Sequence, residues 1–331
     1  MIYYAPIAAV FVTLTLIAAI LSSKLGKKIQ DIPNERSLHS APTPRIGGVG
    51  MMAGILSGWI LMPGALVWWV MLPMLILFGV SLLDDMRGLP VRRRLLAHLI
   101  AAVLLAVGSG LFARHGVWAA ILVLLFTIWM TNLYNFMDGS DGLAGGMALF
   151  GFACYGAAAL IAQDDMLAML NFTIAAAALG FLYHNFPPAK VFMGDAGSIP
   201  LGFLAAAMGL WGWQQGYWAA WFPLLVFSPF VADATVTLFK RAWRGEKLSQ
   251  AHRSHYYQRL VQMGWGHRNT ALAEYALMLL AGMSALWGIG LAHTGQYFLL
   301  LGWAIAYLAL MVSIDKHWRE YQSAGKKIAD A

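Results

Sequence analysis

Two aspartates, Asp138 and Asp141, lie in the stretch TNLYNFMDGSDGLAGG between two long apolar segments. If a helix starts here, their spacing of three places both carboxylates on one face of its first turn, where unpaired N–H groups favour negative charge. Gly139 and Gly142 let a phosphate approach the backbone closely. Mg²⁺ is commonly held by one or two carboxylates and substrate phosphates. The stretch therefore predicts a metal and phosphate site, and a polar loop with an aspartate cap is the alternative.

A second stretch, YHNFPPAKVFMGDAGSIPLG, combines the same kinds of residue. Its proline pair forces irregular backbone, which at membrane depth is tolerated only where protein or water satisfies it. Asp195 with its neighbouring glycines predicts another phosphate and metal loop. Phe192 is either a packing residue or a platform on which a nucleobase stacks. Asn185 here, like Asn132 and Asn135 in the first stretch, adds neutral hydrogen-bonding partners for a ligand.

A pair of adjacent carboxylates, Asp84 and Asp85, ends an apolar segment in SLLDDMRGLPVRRR. Adjacent residues on a helix diverge by about 100°, so the two side chains cannot do the same job in the same direction. One is expected to face a metal or nucleophile while the other holds a basic group. The arginines at 92–94 are interpreted as topology anchors, with contacts to phosphate or lipid headgroups as the alternative.

The loop KRAWRGEKLSQAHRSHYYQRL carries His252, Arg253 and His255. Zinc binding is disfavoured because the HExxH glutamate and a third ligand are missing. Cationic groups that hold a diphosphate are the preferred interpretation, and an amphipathic surface helix is the alternative. An earlier loop places Arg45 after two prolines, where it supplies a cation at a rigid turn.

The composition is that of an integral membrane protein. The 331 residues are 60% hydrophobic and 11% charged, whereas a soluble domain has about 25% charged residues. The single cysteine, Cys154, excludes a disulfide framework and is interpreted as a small buried hydrophobe. Eleven apolar segments predict an all-α transmembrane bundle, since most approach the roughly 20 residues needed to cross a bilayer. They lie near residues 3–21, 46–62, 67–83, 95–112, 117–133, 142–161, 167–184, 198–213, 217–239, 271–291 and 297–314.

Threading these segments alternately places 21 of the 22 lysines and arginines in one set of loops and Arg114 alone in the other. By the positive-inside rule, the N-terminus is periplasmic and the C-terminus cytoplasmic. The net charge of +7 is then mainly a topology signal, and no nucleic-acid partner is predicted. One membrane-embedded domain, 1–331, is expected, with cytoplasmic active-site loops at 24–45, 84–94, 134–141, 185–197 and 240–270.

Several aspartates fall at the predicted cytoplasmic ends of these segments. Ionisable groups at the edge of hydrocarbon are costly unless they meet a partner or an aqueous cavity, so their use on one side predicts a shared site. These residues are Asp84, Asp85, Asp138, Asp141, Asp195 and Asp233.

Five segments, in this order, resemble signatures of the polyprenyl-phosphate N-acetylhexosamine-1-phosphate transferase superfamily. They are RSLHSAPTPRIGG, LLDD followed by RRRLLAH, NLYNFMDGSDGLAGG, NFPPAKVFMGDAGS and AHRSHYYQRL, and they cover about residues 36–260. Two departures stand out: His98 occupies a position where the family pattern has glutamine, and the late loop lacks the triple histidine of the branch that transfers phospho-MurNAc-pentapeptide.

The resemblance implies a bacterial inner-membrane enzyme that moves a sugar-1-phosphate from a UDP-N-acetylhexosamine to undecaprenyl phosphate with Mg²⁺, for which Mn²⁺ substitutes. It further implies that Asp195 and Asp138 bind the metal, within an acidic catalytic site formed with Asp84, Asp85 and Asp141. Asn185 and Phe192 are expected in the uridine pocket. The full set of substrate-binding residues is expected to be Arg45, Asn132, Asn135, Asn185, Phe192, His252, Arg253 and His255.

The late loop resembles the branch that starts O-antigen and related polysaccharides with GlcNAc, FucNAc or QuiNAc phosphates. The phospho-MurNAc-pentapeptide transferase of peptidoglycan synthesis is the alternative within the superfamily, and a homodimer is compatible with either. A secondary transporter is the alternative of another class, although transporters typically keep coupling residues near the midplane. We prefer a single in-line displacement, and a two-step route through a covalent aspartate remains open.

Overall fold

A computed structural model describes residues 2–24, 29–33, 38, 41–62, 64, 66–247, 250 and 252–329, with side chains to 324. Residues 25–28, 34–37, 39 and 40 of the first predicted loop, and 248, 249 and 251 of the last, lie outside the described residues. The helices are α1 (Ala5–Ser22), α2 (Gly47–Ile60), α3 (Trp68–Arg87), α4 (Val91–Gly108), α5 (Leu111–Phe136), α6 (Leu143–Ile161), α7 (Asp165–Asn185), α8 (Asp195–Gln214), α9 (Trp221–Val226), α10 (Ser228–Trp243), α11 (Tyr256–Leu260), α12 (Gly266–Ile289) and α13 (His293–Ala329).

The expectation of an all-α membrane protein is confirmed at this level. Within the part of the chain that the structure describes, eight helical segments are long and apolar enough to cross a membrane. The helix α2 is apolar but shorter, and α4 begins with three arginines. The count of eleven spans therefore stays a prediction.

The apolar segment 217–239, expected as one span, is divided into α9 and α10 at Phe227. Pro229 is the reason, because it has no N–H to offer the carbonyl four residues earlier. The hydroxyl of Ser228 donates to that carbonyl, of Leu225, at 2.6 Å instead. The break starts a new helix, α10, that ends in the cationic residues Lys240 and Arg241.

One helix, α8, forms the centre of the bundle. An apolar stretch of 18 residues within it is 89% buried. Small residues let neighbouring helices approach it closely. A Cβ added to Gly48 of α2 would lie 2.3 Å from the backbone nitrogen of Gly197. This contact brings the first turns of α2 and α8 together, and with them the functional groups that precede each helix.

A two-stranded hairpin departs from the all-helical expectation. Its strands are β1 (Gln30–Asp31) and β2 (Thr43–Pro44), which pair antiparallel. The backbone N–H of Phe192 donates to the Pro44 carbonyl at 2.8 Å, and the N–H of Gly47 donates to the Phe192 carbonyl at 2.9 Å. The hairpin is thereby fixed to the loop before α8, and Arg45 is held beside Phe192.

Candidate functional site

Asp195, the first residue of α8, is the meeting point of four segments. Its carboxylate accepts from the Asn135 amide at 2.9 Å and from the Arg94 guanidinium at 3.1 Å. The guanidinium of Arg45 lies 3.6 Å away. The early loop, α4, the end of α5 and the start of α8 therefore meet at one end of the bundle.

Asp85 is held differently, because its carboxylate caps α8 from outside. Its two oxygens accept from the backbone N–H groups of Asp195 at 3.1 Å and Ala196 at 2.9 Å. These are the first amides of α8, where the helix dipole favours an anion. Gly194 permits this approach, since it has φ 72° and an added Cβ would lie 2.8 Å from Asp85 Oδ2. The amides expected to cradle a phosphate here are therefore already occupied.

Asp84 points away from its neighbour, as the helical geometry predicts. Its carboxylate accepts from Arg94 at 2.9 Å. The two guanidinium contacts of Arg94 therefore bridge Asp84 and Asp195.

Arg94 is a site residue. It was missed from the sequence, because the arginines at 92–94 were all interpreted as topology anchors. Arg92 and Arg93 are exposed, whereas Arg94 is half-buried. The sequence contained a signal, because His98 lies four residues after Arg94 and so on the same face of the helix. In the structure His98 is buried, and its Nδ1 is 3.2 Å from the amide of Asn132. Asn132 therefore lies beside the site, next to the inward face of α4.

Asp138 and Asp141 do not lie on the first turn of a helix, because α5 ends at Phe136 and α6 starts only at Leu143. Both occupy the intervening turn. Among the described residues no hydrogen-bond partner holds the Asp138 carboxyl. Burial raises the pKa of Asp138 well above its usual range; the Arg45 charge opposes this shift, and Asp195 adds to it.

Arg45 is the cation whose charge opposes the raised pKa of Asp138. Burial lowers its pKa, but the carboxylates of Asp85 and Asp195 outweigh burial, and the pKa of Arg45 is raised. Asp31 of the hairpin adds to the same effect. Arg45 is therefore a permanent positive charge, placed between the early hairpin and the aspartates.

Asp141 organises loops instead of joining the contacts around Asp195. Its carboxylate accepts from the Ala189 N–H at 3.0 Å. The Nδ1 atom of His267, at the start of α12, lies 2.8 Å from the Ser140 hydroxyl and 3.8 Å from Asp141 Oδ1. The Nε2 atom of His267 lies 3.3 Å from the Leu38 carbonyl. Sequence reasoning missed His267, although Gly264, Gly266 and Arg268 lie beside it in the sequence.

Asn185 links the two predicted ligand loops. Its amide oxygen accepts from Gly142 N–H at 2.8 Å, and its amide nitrogen donates to the Val191 carbonyl at 2.8 Å. Both ends of the side chain are thus engaged with backbone. Asn185 thereby joins the turn before α6 to the backbone next to Phe192. Contact of Asn185 or Phe192 with uridine stays a prediction.

The late loop lies against the turn that carries Asp138. The Tyr257 hydroxyl donates to the Phe136 carbonyl at 3.2 Å. A Cβ on Gly139 would lie 2.3 Å from that hydroxyl, so glycine is needed for the approach. His255 is buried on Asp233. Arg253 is exposed.

His252 is less cationic than the predicted diphosphate clamp requires. Burial, with a smaller effect from the charge of His255, lowers the pKa of His252 to about 4. In the free site its imidazole is therefore neutral near pH 7, and it offers hydrogen bonds instead of a full charge.

The acidic residues fit a hard cation, but not a complete protein cage. Within the described residues, no group of three or more histidine, cysteine, aspartate or glutamate side chains is arranged to hold a metal. Asp195 and Asp138 offer carboxylate oxygens, and Mg²⁺ typically uses one or two carboxylates together with substrate phosphates and water. The donor set therefore suits Mg²⁺ bound jointly with a phosphate ligand.

Comparison with known proteins adds an independent finding. The chain matches glycosyl transferase family 4 over residues 67–212, the region from α3 to α8 that contains Asp84, Asp138 and Asp195. It is similar to the probable undecaprenyl-phosphate N-acetylglucosaminyl 1-phosphate transferase of Bacillus subtilis (strain 168), with 29% identity over 274 residues, 77% of this chain and 76% of that protein.

Two further relatives carry different names. The undecaprenyl-phosphate alpha-N-acetylglucosaminyl 1-phosphate transferase of Yersinia pestis is 24% identical over 330 residues, 92% of this chain and 88% of that protein. A phospho-N-acetylmuramoyl-pentapeptide-transferase of Staphylococcus saprophyticus is 25% identical over 326 residues, 87% of this chain and 99% of that protein. Similarity of this kind extends well beyond the matched region.

Proposed function

We propose that this chain, which belongs to the polyprenyl-phosphate N-acetylhexosamine-1-phosphate transferase family, transfers a GlcNAc-type sugar-1-phosphate from a UDP-sugar to undecaprenyl phosphate and releases UMP. The lipid-linked sugar starts a surface polysaccharide such as O-antigen.

One observation carries the proposal: Arg45 and Arg94 both contact Asp195 at one end of an apolar bundle. A reaction between a phosphate monoester and a diphosphate brings several anions together. It therefore needs cations that carboxylates hold in place until the substrates arrive. A transporter has no need for this arrangement at one end of its helices.

In the proposed reaction, an oxygen of the acceptor phosphate attacks the phosphorus that carries the sugar, and the bond from that phosphorus to the UMP oxygen breaks in line. Polyprenyl phosphate has a second pKa near 6, so it is largely dianionic at neutral pH. An aspartate of the site needs only to complete its deprotonation and orient it.

Mg²⁺, when bound by Asp195 and Asp138, supplies charge neutralisation to the phosphates. The protein contributes orientation. Asp85 holds the first turn of α8 and with it Asp195, and Asp84 keeps the Arg94 guanidinium directed into the site.

The arginines offer a matched test of the site. Arg94→Ala removes the contacts to Asp84 and Asp195, and we expect turnover to fall by about a hundredfold, as for the loss of an electrostatic stabiliser. Arg93→Ala removes an exposed arginine of the same helical turn and should retain turnover near that of the wild type. Equal activities of the two variants would return Arg94 to the role of a topology anchor.

The donor is proposed to be a UDP-N-acetylhexosamine without a peptide, namely UDP-GlcNAc, UDP-FucNAc or UDP-QuiNAc. Purified protein with undecaprenyl phosphate and each radiolabelled donor should form a lipid-linked product from at least one of them. UDP-MurNAc-pentapeptide should give none. Transfer from the pentapeptide alone would assign the chain to peptidoglycan synthesis instead.

The same preparation distinguishes the two chemical routes. In a single displacement, labelled UMP does not exchange into the UDP-sugar unless the acceptor is present. Exchange without acceptor would favour a covalent aspartate intermediate over the route proposed here.

We also propose an eleven-span arrangement in the bacterial inner membrane, with the N-terminus periplasmic and the active site cytoplasmic, supported by the one-sided distribution of lysine and arginine. A reporter fused after Asp164 should read periplasmic. A cytoplasmic reading would reverse the orientation.

A further inference from the structure

Asp233 of α10 is a buried carboxylate on which donors from α10 and the late loop converge. Its Oδ1 lies 3.0 Å from Nδ1 of His255. The hydroxyl of Thr237 and the N–H of Tyr256 donate to the same oxygen at 3.0 Å each. The N–H of Tyr257 donates to Oδ2 at 3.0 Å. Such a set of donors is complementary to an ionised carboxylate, which only accepts.

The Asp233 contact determines which nitrogen of the His255 ring carries hydrogen. Because the carboxylate only accepts, Nδ1 must be protonated, and Nε2 is the ring nitrogen that Asp233 does not hold. The side chains of Asp233 and His255 are 6% and 2% exposed. The ring is confined laterally, since its centroid lies 4.8 Å from that of His252 and 6.3 Å from that of Phe136.

Asp233 also fixes the helix that follows His255. The amides of Tyr256 and Tyr257 are the first two of α11, so the carboxylate acts as an N-terminal cap supplied by another helix. Tyr257 in turn binds the carbonyl of Phe136, at the end of α5. One side chain of α10 therefore sets the place of the late loop relative to the Asp138 turn.

We propose that Asp233 is a positioning residue for the transfer reaction. It keeps hydrogen on Nδ1 of His255, so that Nε2, when it also carries a proton, donates a charge-assisted hydrogen bond to the diphosphate of the nucleotide-sugar. The assignment of that ligand rests on the proposed function. The carboxylate itself does not touch the substrate, and it acts through the imidazole and the start of α11.

The ¹⁵N spectrum of protein labelled at histidine, assigned by comparison with His255→Ala, tests the tautomer. At a pH high enough for the ring to be neutral, wild-type protein should show a protonated Nδ1 and an unprotonated Nε2 at His255. Asp233→Asn places an amide of nearly the same shape there, and its N–H groups oppose the donors, so this signature should be lost. The kcat should fall by at least about tenfold, while the KM for undecaprenyl phosphate stays unchanged.

Asp315→Asn is the matched control, because Asp315 anchors the same helix without touching His255. Its carboxylate accepts from Arg259 at 2.7 Å and also binds Lys240. This variant should loosen α11 yet keep the wild-type tautomer. The same spectral change in both variants would reduce Asp233 to a general anchor and overturn the proposal.

The turnover assay tests the proposed function, and the ¹⁵N spectrum tests the effect of Asp233 on His255. If the wild-type protein turns over no UDP-sugar, the proposed function is wrong. If the His255 tautomer in that protein still depends on Asp233, the effect of Asp233 on the imidazole stands. Normal kcat in Asp233→Asn, in a protein that does transfer sugar-phosphate, would overturn the positioning role. In a His255→Ala background, Asp233→Asn should cause little further loss of kcat.

Discussion

Asp85→Asn is expected to loosen the start of α8 selectively. Asp85 accepts from two α8 amides at 3.1 and 2.9 Å, and its side chain is 1% exposed. Asparagine keeps one acceptor oxygen but turns its N–H groups toward the other amide. One hydrogen bond to a charged group is lost, which costs about 1.5–3 kcal/mol.

Two smaller effects adjust this figure. The Arg45 contact at 3.4 Å involves a side chain that is 32% exposed, so its loss adds less than about 1 kcal/mol. Removing a negative charge beside Asp195 relieves repulsion and acts in the opposite direction. The net cost of opening the first turn of α8 is therefore about 1–3 kcal/mol, or roughly 5- to 150-fold faster amide exchange.

Hydrogen exchange with mass spectrometry on the peptide 194–199 measures this effect directly. Asp84→Asn is the control, because Asp84 contacts Arg94 and accepts from Leu89 instead of the α8 amides. Unchanged exchange in Asp85→Asn, or equal acceleration in both variants, would refute the capping role of Asp85.

Three further outcomes are expected. Asp195→Asn should lower turnover on the order of a thousandfold or more, and activity should require Mg²⁺ or Mn²⁺. Full turnover in EDTA, or in the Asp195→Asn protein, would contradict a metal site at Asp195. Replacing His252 and His255 together with alanine should reduce transfer while the protein remains in the membrane, whereas wild-type kinetics would make the loop a surface element. His252, whose folded-state pKa is lowered to about 4, keeps its contribution to stability above its unfolded pKa of about 6.5 and loses it as pH falls from there toward 4. Thermal unfolding of His252→Gln should therefore depend less on pH across that range, and an unchanged dependence would argue against the shift.

The amino-acid sequence by itself determined the class of protein and the chemical groups of the site. Apolar segments of about 20 residues specify membrane helices because backbone groups in hydrocarbon must be satisfied within the segment. Carboxylates at the ends of these segments predicted a shared acidic site. In the structure Arg45 contacts Asp85 and Asp195, and Arg94 contacts Asp84 and Asp195. The spacing of Asp84 and Asp85 was also sufficient to predict that they point apart, since helical geometry is local.

Only the tertiary structure decided which members of each group face the site. Arg94 differs from its two arginine neighbours through the packing of α4 beside Asn132. His267 joins the Asp141 turn because α12 begins there, 126 residues farther along the chain. The helix predicted from the glycines and aspartates starts only after the turn at 138–142, where Gly142 N–H donates to Asn185 at the end of α7. These choices depend on contacts between segments distant in sequence, and local residue patterns carry no information about which distant partner arrives.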